Sequence, residues 1–361
     1  MRTLTVTFHH TTNYGAVLQT YALQQTILSL GHENLVLETK SSGKKKRTRL
    51  SARNIYLRYI SWLRKGKTKI LAHHFSEFHK IRLNLTRPYE SMEDLKKDPP
   101  VVDCLITGSD QVWNFSTTPE FLDSRLLKFG TKSSIRFSYA ASMEETNYSD
   151  EQKQILKDAL LAFKGISVRE QSAKEYIESF TPYHCQRVLD PVFLLSKEKW
   201  NEIAQQPRLK GPYILCYQVQ SNKRLQEVAN ILKKETGYPI VSIFNGAIRW
   251  IKSDYCYHDV SIEEFLGFYQ NAAYIVSASF HGVAMGLVFD KPVYALVKKA
   301  RANRIKELMS LFELDDFIVH QDEKKKVERY DSSKIENMKT IKRDYIAISM
   351  NYLNRMFDLC E

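Results

Sequence analysis

The chain has 361 residues, of which 43% are hydrophobic and 26% charged, a composition that excludes a largely disordered or fibrous protein and favours two folded domains. No apolar run approaches the ~18 residues of a membrane helix, and five widely spaced cysteines predict reduced thiols and a cytoplasmic protein. The net charge of +12 raises the question of an anionic partner.

Short apolar strands alternate with segments of helical period through the first half of the chain, which is typical of a parallel sheet covered by helices. Strands are predicted at 3–8, 34–38, 101–108, 134–142, 165–170 and 186–195. Helices are predicted over 16–31, over 150–163 with Ser149 or Asp150 as N-cap, and near 172–180. The polar stretch that follows residue 195 predicts a domain boundary.

A second alternation begins at residue 213, with strands predicted at 213–219, 239–244, 273–279 and 292–297 and helices at 223–237, 261–272 and 282–289. The segment 332–359 has helical apolar spacing and is predicted to pack back across the first domain. We therefore predict an N-terminal Rossmann-like domain at 1–195 with a basic helical insertion at about 40–98, a C-terminal Rossmann-like domain at 196–335, and a crossing helix at 336–361.

The positive charge is concentrated between Lys40 and Arg87, where 15 lysines and arginines accompany one acidic residue, Glu77. This segment carries +14, so the rest of the chain nets −2. Apolar and basic residues interleave through 54–75, which predicts an amphipathic basic helix or helix pair. Two interpretations stay open: a solvated insertion that covers the sheet, or a contact with an anionic membrane surface or glycan. Nucleic acid is not expected as a partner, because no zinc-finger, RNP or homeodomain pattern accompanies the charge.

Asn13, Tyr14 and Gly15 stand where the first strand gives way to the first helix. A glycine lets the backbone approach a ligand closely, and the start of a helix attracts anions. The segment lacks G-x-G-x-x-G, so it does not predict a dinucleotide site. The alternative is a simple strand-to-helix turn capped by Asn13.

Polar residues follow the strand predicted at 101–108, where a parallel sheet places side chains in its ligand-binding crevice. Ser109, Asp110, Gln111 and Trp113 are the candidate cleft residues there. The alternative is a turn capped by Ser109 or Asp110, with Trp113 in the core.

Two further strands are followed by groups suited to anion binding and proton transfer. Arg169 and Glu170 follow the strand at 165–170; an arginine offers a planar fork of donors to phosphate or carboxylate, and a surface ion pair is the alternative. His281 and Gly282 stand between a strand and a helix, where a histidine can move protons near neutral pH. The basic residues after the strand at 292–297 are Lys298, Lys299, Arg301 and Arg304.

Six segments, NYGAVLQTYALQ, TGSDQVWN, YAAS, ISVRE, LDPVFLL and SFHG, occur in this order along the chain. Together they resemble the polysaccharide pyruvyl transferase family, and the resemblance covers nearly the whole chain. One departure concerns an Asp that the family often has just before Ser-Phe-His-Gly. This chain has Ser277-Ala278-Ser279 there, so no role for that carboxylate is carried over.

The resemblance implies a GT-B-like α/β fold, with two Rossmann-like domains facing across a cleft. It also implies transfer of the pyruvyl group of phosphoenolpyruvate to two hydroxyls of a sugar, forming a ketal and releasing phosphate. Residues like Arg169, His281 and a basic residue near Arg301 would serve the donor. We expect His281 to protonate the donor's methylene carbon and Asp110 or Glu170 to take the hydroxyl protons. No cofactor or metal is expected, because no His, Cys or carboxylate cluster occurs at ligand spacing.

Acceptors in the family it resembles are commonly repeat units of surface polysaccharides, some carried on a polyprenyl diphosphate. The resemblance therefore implies a cytoplasmic enzyme, with the basic segment 40–87 holding it at the anionic inner face of the membrane. One alternative is a GT-B nucleotide-sugar glycosyltransferase of surface-polysaccharide synthesis, since a fold does not fix a function. Another is a non-catalytic protein that binds anionic glycans or nucleic acid through the basic segment.

Overall fold

The computed structural model describes residues 1–40, 65–143, 146–219, 223–244, 251–297, 303–321 and 327–359. Within these ranges the chain forms two parallel sheets of six strands each, one from either half. Central strands such as Cys104–Thr107 and Val293–Val297 are buried throughout, as expected for sheets with helices on both faces. The α/β class predicted from the alternation of strands and helices is confirmed.

The first sheet has the strand order β2-β1-β3-β4-β5-β6. Its strands are β1 (Arg2–Val6), β2 (Glu33–Val36), β3 (Cys104–Thr107), β4 (Ile135–Ser138), β5 (Phe163–Val168) and β6 (Cys185–Arg187). The helices of this half are α1 (Tyr14–Ser29), α2 (Lys65–Arg82), α3 (Met92–Lys97), α4 (Leu122–Arg125), α5 (Asp150–Leu160) and α6 (Gln171–Phe180). Since all its pairs are parallel, the loops that follow its strands share one edge.

The second sheet has the order β12-β11-β10-β7-β8-β9. Its strands are β7 (Ile214–Gln218), β8 (Ile240–Phe244), β9 (Tyr255–Tyr257), β10 (Tyr274–Ser277), β11 (Val293–Val297) and β12 (Ile318–His320). The remaining helices are α7 (Lys197–Ile203), α8 (Lys223–Thr236), α9 (Ile262–Asn271), α10 (Phe280–Val288), α11 (Asn303–Leu311) and α12 (Ser332–Asp358). The sequence analysis did not predict β9, β12, α7 or α11, and the boundaries at 195 and 335 stay predictions.

Local capping chemistry fixes several helix ends. The Asn13 side chain accepts a hydrogen bond from the backbone N–H of Gly15 at 3.0 Å and so begins α1. Ser149, rather than Asp150, caps α5, in a capping box with Gln152. The strand predicted at 186–195 is wrong beyond residue 187, because Asp190 caps a 3₁₀ turn that begins at a proline.

Helix α12 ties the C-terminal part of the chain to the first sheet. The Tyr352 hydroxyl donates to the backbone oxygen of Ser138 at 2.8 Å, and Ser349 Oγ accepts from the N–H of Leu189 at 2.9 Å. A Cβ at Gly165 would lie 2.1 Å from Met356 Sδ, so the helix crosses β5 at a glycine. The predicted return of the last helix to the first domain is confirmed.

The described part of the basic segment is α2 and the residues that flank it, whereas residues 41–64 lie outside the described ranges. Leu71, Phe75 and Phe78 of this helix are buried, and the ring centroid of Phe75 lies 5.0 Å from that of Tyr14. The apolar face of α2 therefore packs against the core of the protein, while lysines such as Lys80 remain exposed. The burial supports the covering-insertion interpretation for this helix.

The cysteines correct one expectation. Cys185, Cys216 and Cys256 carry free thiols, but Cys104 is disulfide-bonded. The prediction of reduced thiols throughout is therefore wrong at Cys104. Every helix in the described ranges is too short or too polar to cross a membrane.

Candidate active site

The residues predicted for the donor meet where the carboxyl edge of the first sheet faces the start of α10. Arg169 directly follows β5, and Asp190 stands just beyond β6. His281 is the second residue of α10, which follows β10 of the other sheet. All three residues are buried. Parallel sheets present polar groups at these ends, so both domains contribute to one site.

Arg169 makes three side-chain hydrogen bonds at the centre of this site, which use three of its five N–H donors. Its Nη1 donates to Asp190 Oδ2 at 2.7 Å, its Nε to Glu170 Oε1 at 2.8 Å, and its Nη2 to Ser142 Oγ at 3.0 Å. The guanidinium carbon lies 3.9 Å from the centre of the Phe280 ring. Burial alone would lower the pKa of Arg169, but the neighbouring carboxylates raise it above its ordinary value, so the cation is permanent.

Asp190 joins the two domains electrostatically. Its Oδ2 accepts from Ser109 Oγ at 2.9 Å and lies 3.5 Å from His281 Nε2, while its Oδ1 accepts from the N–H of Val192 at 3.1 Å. Burial alone would raise the pKa of Asp190, but His281 and Arg169 hold it well below its usual range. The carboxylate is therefore ionised and can orient the His281 ring.

Glu170 Oε2 is buried and has no hydrogen-bond partner among the described residues, and the buried His281 Nε2 has only the 3.5 Å contact with Asp190 Oδ2. Glu170 is otherwise anchored, since its Oε1 accepts from Ser142 Oγ at 2.8 Å as well as from Arg169. An unpartnered buried polar atom costs free energy unless something binds it. One carboxylate oxygen and one ring nitrogen are thus available for proton exchange with a bound molecule.

The two glycines predicted at the site are required for packing. A Cβ on Gly15 would lie 2.2 Å from both Cγ and Nδ1 of His281, so this glycine lets the ring seat against the first turn of α1. A Cβ on Gly282 would lie 2.2 Å from Ser277 Oγ, so Gly282 lets α10 approach β10. The helix predicted to open at Gly282 begins at Phe280. Gly282 therefore lies within its first turn.

Tyr14, predicted as a cleft residue, packs between the domains instead. Its hydroxyl donates to the backbone oxygen of Val260 at 2.6 Å, and its ring stacks on Phe265 with centroids 4.2 Å apart. Trp113 is likewise fully buried, among the apolar residues of the first domain, so the core alternative holds for it. Large aromatic rings are held in cores by their buried area, whatever polar residues flank them.

The remaining candidates of the first domain lie at the cleft. Asp110 has a left-handed backbone (φ +70°), and it contributes to the raised pKa of Arg169. With its amide oxygen turned toward the second domain, Gln111 accepts from both Nη atoms of Arg304 at 2.8 Å. This contact crosses the cleft and brings one of the four predicted basic residues to the site. The other three, Lys298, Lys299 and Arg301, lie outside the described residues.

A narrow cavity of about 10 Å³, room for roughly one water molecule, separates Arg169 and Asp190 from α11. Glu307 of α11 lines it and accepts from the N–H groups of Gln171 and Ser172 at 2.5 and 3.3 Å. A carboxylate of the second domain thus occupies the N-terminus of α6. A molecule larger than water enters only if these groups separate.

Sequence reasoning missed Asp190, Arg187, Phe280 and Glu307, which line the same cavity. Asp190 lies within the LDPVFLL segment, and its position before a proline at the end of a strand could have marked it as a turn-capping carboxylate. Glu307 lies in the middle of α11, 136 positions from Gln171, and carries no local signal. Elsewhere on this sheet edge, His9, His10 and Glu38 form a group of metal-ligand type within the described ranges. The sequence expectation that no such cluster occurs is therefore corrected.

Comparisons with solved structures find a similar fold in two UDP-GlcNAc 2-epimerases. UDP-GlcNAc 2-epimerase from Neisseria meningitidis aligns with a TM-score of 0.51 and 12% identity, covering 99% of each chain. The Methanocaldococcus jannaschii UDP-GlcNAc 2-epimerase aligns with a TM-score of 0.50 and 10% identity, covering 99% of this chain and 100% of its own. At these identities the likeness shows the fold alone, the GT-B-like arrangement of two Rossmann-like domains.

No curated protein matches this chain in sequence. The family model described as polysaccharide pyruvyl transferase matches residues 13–297, from the N-cap of α1 to the end of β11. The match includes strands of both sheets and the site residues Arg169, Glu170, Asp190 and His281, whereas Arg304 and Glu307 lie beyond it. The chain therefore belongs to the polysaccharide pyruvyl transferase family.

Proposed function

We propose that this transferase moves the pyruvyl group of phosphoenolpyruvate onto two hydroxyls of one sugar in a polysaccharide repeat unit, forming a ketal and releasing phosphate. The observation that carries the proposal is the buried, unpartnered Glu170 Oε2 and the His281 ring, paired only with Asp190 at 3.5 Å, beside the permanent cation of Arg169. The reaction needs a proton donor, a proton acceptor and an anion-binding group, and these three side chains supply them.

Donor binding would use the cations that border the cavity. Phosphoenolpyruvate carries a phosphate and a carboxylate, and Arg187 and Arg304 line the cavity beside Arg169. The carboxylate of Glu307 at the start of α6 occupies a position suited to an anion, so a donor carboxylate would compete with it. We also assign Lys298, Lys299 and Arg301 to this role, as the basic residues that follow β11.

The chemical step starts with proton transfer from His281 to the methylene carbon of the donor, which becomes a methyl group. The resulting oxocarbenium-like carbon bonds to the first sugar hydroxyl, whose proton passes to a base. The C–O bond to phosphate then breaks with its electron pair, and the second hydroxyl closes the ketal as its proton leaves. Asp190, 3.5 Å from His281 Nε2, would stabilise the imidazolium before the transfer.

Of the two bases expected from sequence, Glu170 has the stronger support. Its Oε2 is buried and unpartnered, whereas Asp110 uses one carboxylate oxygen to accept from the N–H of Gln111 at 2.9 Å. Arg169 and Ser142 fix the other oxygen of Glu170, so the free oxygen keeps a defined direction. We assign Glu170 as the general base and Asp110 to the acceptor side of the cleft, with Asn13 and Gln111.

The test is acceptor-dependent phosphate release from phosphoenolpyruvate with galactose- and mannosamine-type glycosides, followed by mass spectrometry of the product. His281→Gln and Glu170→Gln should each lower kcat by about 10²-fold or more, since general acid–base groups contribute that much. His184→Ala is the control, because the His184 side chain is fully exposed; its kcat should equal that of the wild type.

Two outcomes would overturn the proposal. One is turnover of a nucleotide sugar with no phosphate release from phosphoenolpyruvate by any acceptor. The other is ketal formation at the wild-type rate by folded His281→Gln protein.

We further propose that the acceptor is carried on a polyprenyl diphosphate and that the basic segment 40–87 holds the enzyme at the anionic inner face of the membrane. Each well-placed cation contributes about 1 kcal/mol at such a surface. Neutralising Lys44, Lys45, Lys46 and Arg47 should abolish sedimentation with vesicles containing phosphatidylglycerol while leaving turnover of a soluble acceptor unchanged. Unchanged sedimentation of this variant would contradict the membrane role.

A further inference from the structure

A second cluster of titratable side chains lies at the same sheet edge, at the ends of β1 and β2. His9 and His10 follow β1, and Glu38 follows β2. His9 Nε2 lies 3.2 Å from Glu38 Oε2, and His10 Nδ1 lies 3.4 Å from Glu38 Oε1. The two imidazole centroids are 3.8 Å apart. Three ligand-type side chains thus converge on one small volume, within 4.8 Å of one another.

The hydrogen bonding of His9 leaves one contact unsatisfied. The ring is fully buried, and its Nδ1 lies 3.3 Å from the backbone oxygen of Thr7 while Nε2 faces Glu38. Both neighbours are acceptors, whereas a neutral imidazole has one N–H and one lone pair. With Nδ1–H donating to Thr7, the lone pair of Nε2 points at a carboxylate oxygen. A cation between the two atoms would turn this repulsion into attraction.

The separations fit a metal ion in that position. Zinc binds imidazole nitrogen and carboxylate oxygen at about 2.0–2.2 Å, so two tetrahedral ligands stand about 3.3–3.5 Å apart. The observed nitrogen–oxygen distances of 3.2 and 3.4 Å are close to this spacing. The His10 side chain is 30% exposed and that of Glu38 24%, which leaves a route from solvent.

The surrounding groups supply the outer contacts that a metal site needs. The Nδ1 of His9 is held by the carbonyl of Thr7, the arrangement that orients a ligand histidine. The Nε2 of His10 accepts a hydrogen bond from the backbone N–H of Thr39 at 3.2 Å and lies 3.4 Å from the Thr39 Oγ1, which fixes the orientation of the ring. His79, whose ring centroid is 5.9 Å from that of His9, has a buried Nε2 without a partner among the described residues.

We propose that His9, His10 and Glu38 bind a zinc-class divalent ion that links the ends of β1 and β2. Imidazole and carboxylate ligands suit zinc and its first-row neighbours, whereas magnesium and calcium prefer oxygen alone. The ion would join the loop between β1 and α1 to Glu38, which lies just before the basic segment 40–87. This site goes beyond the proposed transfer reaction, no step of which uses it.

The test is metal binding by the full chain after removal of metals with a chelator. The wild type should take up about one Zn²⁺ per chain by calorimetry. Co²⁺ in its place should give visible absorption bands of a site with fewer than six ligands. Glu38→Gln and His10→Ala should each weaken Zn²⁺ binding about 10-fold or more, because each substitution removes a side chain that binds the ion directly.

The matched control is His73→Ala/His74→Ala, which removes an adjacent histidine pair on α2 with ring centroids 6.3 Å apart. This variant should bind Zn²⁺ as the wild type does. The proposal is overturned if the wild type binds no stoichiometric Zn²⁺ or Co²⁺, or if Glu38→Gln, shown to be folded by circular dichroism, binds as tightly as the wild type. Zn²⁺ binding is measured without any turnover. A failure of the metal proposal can therefore be told apart from a failure of the proposed pyruvyl transfer.

Discussion

The two clusters at the carboxyl edge of the first sheet differ in what neutralises their carboxylates. After β5 and β6, the guanidinium of Arg169 is shared by Glu170 and Asp190. After β1 and β2, Glu38 pairs only with two imidazoles among the described residues. An arginine stays charged throughout the physiological range, whereas an imidazole is cationic only when it binds a proton or a metal. The charge of the first cluster is therefore built in, and that of the second depends on a bound cation.

This difference assigns distinct functions to neighbouring parts of one sheet edge. A permanent cation that is paired with two carboxylates holds them rigidly and leaves Glu170 Oε2 free for chemistry beside the His281 ring. A cluster without a permanent cation is instead completed by the ion it binds.

Replacing Arg169 with Ala should lower the free energy of unfolding by about 3–5 kcal/mol, because two buried carboxylates lose their partner. Urea denaturation measures this value. Arg343→Ala is the control, since the Arg343 side chain is 78% exposed; we expect a change under about 1 kcal/mol. If both substitutions lowered the free energy of unfolding equally, the buried Arg169 would contribute no more to stability than an exposed arginine.

Replacing Asp190 with Asn should cost about 2–3 kcal/mol at pH 7, the contribution of a hydrogen-bonded buried carboxylate. The pKa of Asp190 is lowered by folding, so its stabilisation is complete above its unfolded pKa of about 3.9 and is lost as the pH falls through its folded pKa. The variant should therefore show a shallower loss of stability below pH 4 in acid titrations. If the stability of the wild type and of Asp190→Asn fell equally steeply with falling pH, Asp190 would not be ionised in the folded protein.

Replacing Gly15 with Ala should lower stability by about 1–3 kcal/mol and reduce turnover, because the new Cβ collides with the His281 ring. Gly66→Ala on α2 is the matched control, since its Cβ would meet nothing within 4 Å and alanine favours a helix. Thermal unfolding and phosphate release measure both variants. If Gly15→Ala turned over at the wild-type rate, the position of the His281 ring would not affect the reaction.

Replacing Glu307 with Gln should have the smallest effect on stability, about 0.5–1 kcal/mol, through the loss of a carboxylate at the start of α6. The same change should tighten phosphoenolpyruvate binding, because the donor no longer competes with a resident carboxylate. Calorimetric titration measures the Kd, and Glu175→Gln, on the exposed side of α6, is the control. Weaker donor binding in Glu307→Gln would indicate that Glu307 assists the donor.

Much of the fold was predictable because its signals are local. Apolar runs predicted the central strands of both sheets, and Ser149 predicted the start of α5 through its own side chain. Short elements such as β9 and β12 were missed, since three residues carry too little pattern to stand out. The run at 186–195 was assigned to one strand because its apolar residues hid the turn that Asp190 caps.

The site was predictable only in part. Arg169, Glu170 and His281 follow predicted strands, a position that sequence can recognise, and the ordered segments predicted the family. Tyr14 and Trp113 also follow predicted strands, yet their rings are buried by packing that no local pattern specifies.

Local sequence patterns specify the alternation of strands and helices and several helix caps, because each depends on residues a few positions apart, and the order of six short segments along the chain identifies the family. Only the tertiary structure decided that Asp190 meets His281, that Glu307 covers the start of α6, and that His9 meets Glu38. These contacts depend on sheet order and on how the two domains face each other. The physical reason is that parallel strands bring distant chain segments to one edge, and the chemistry of an edge follows from that order.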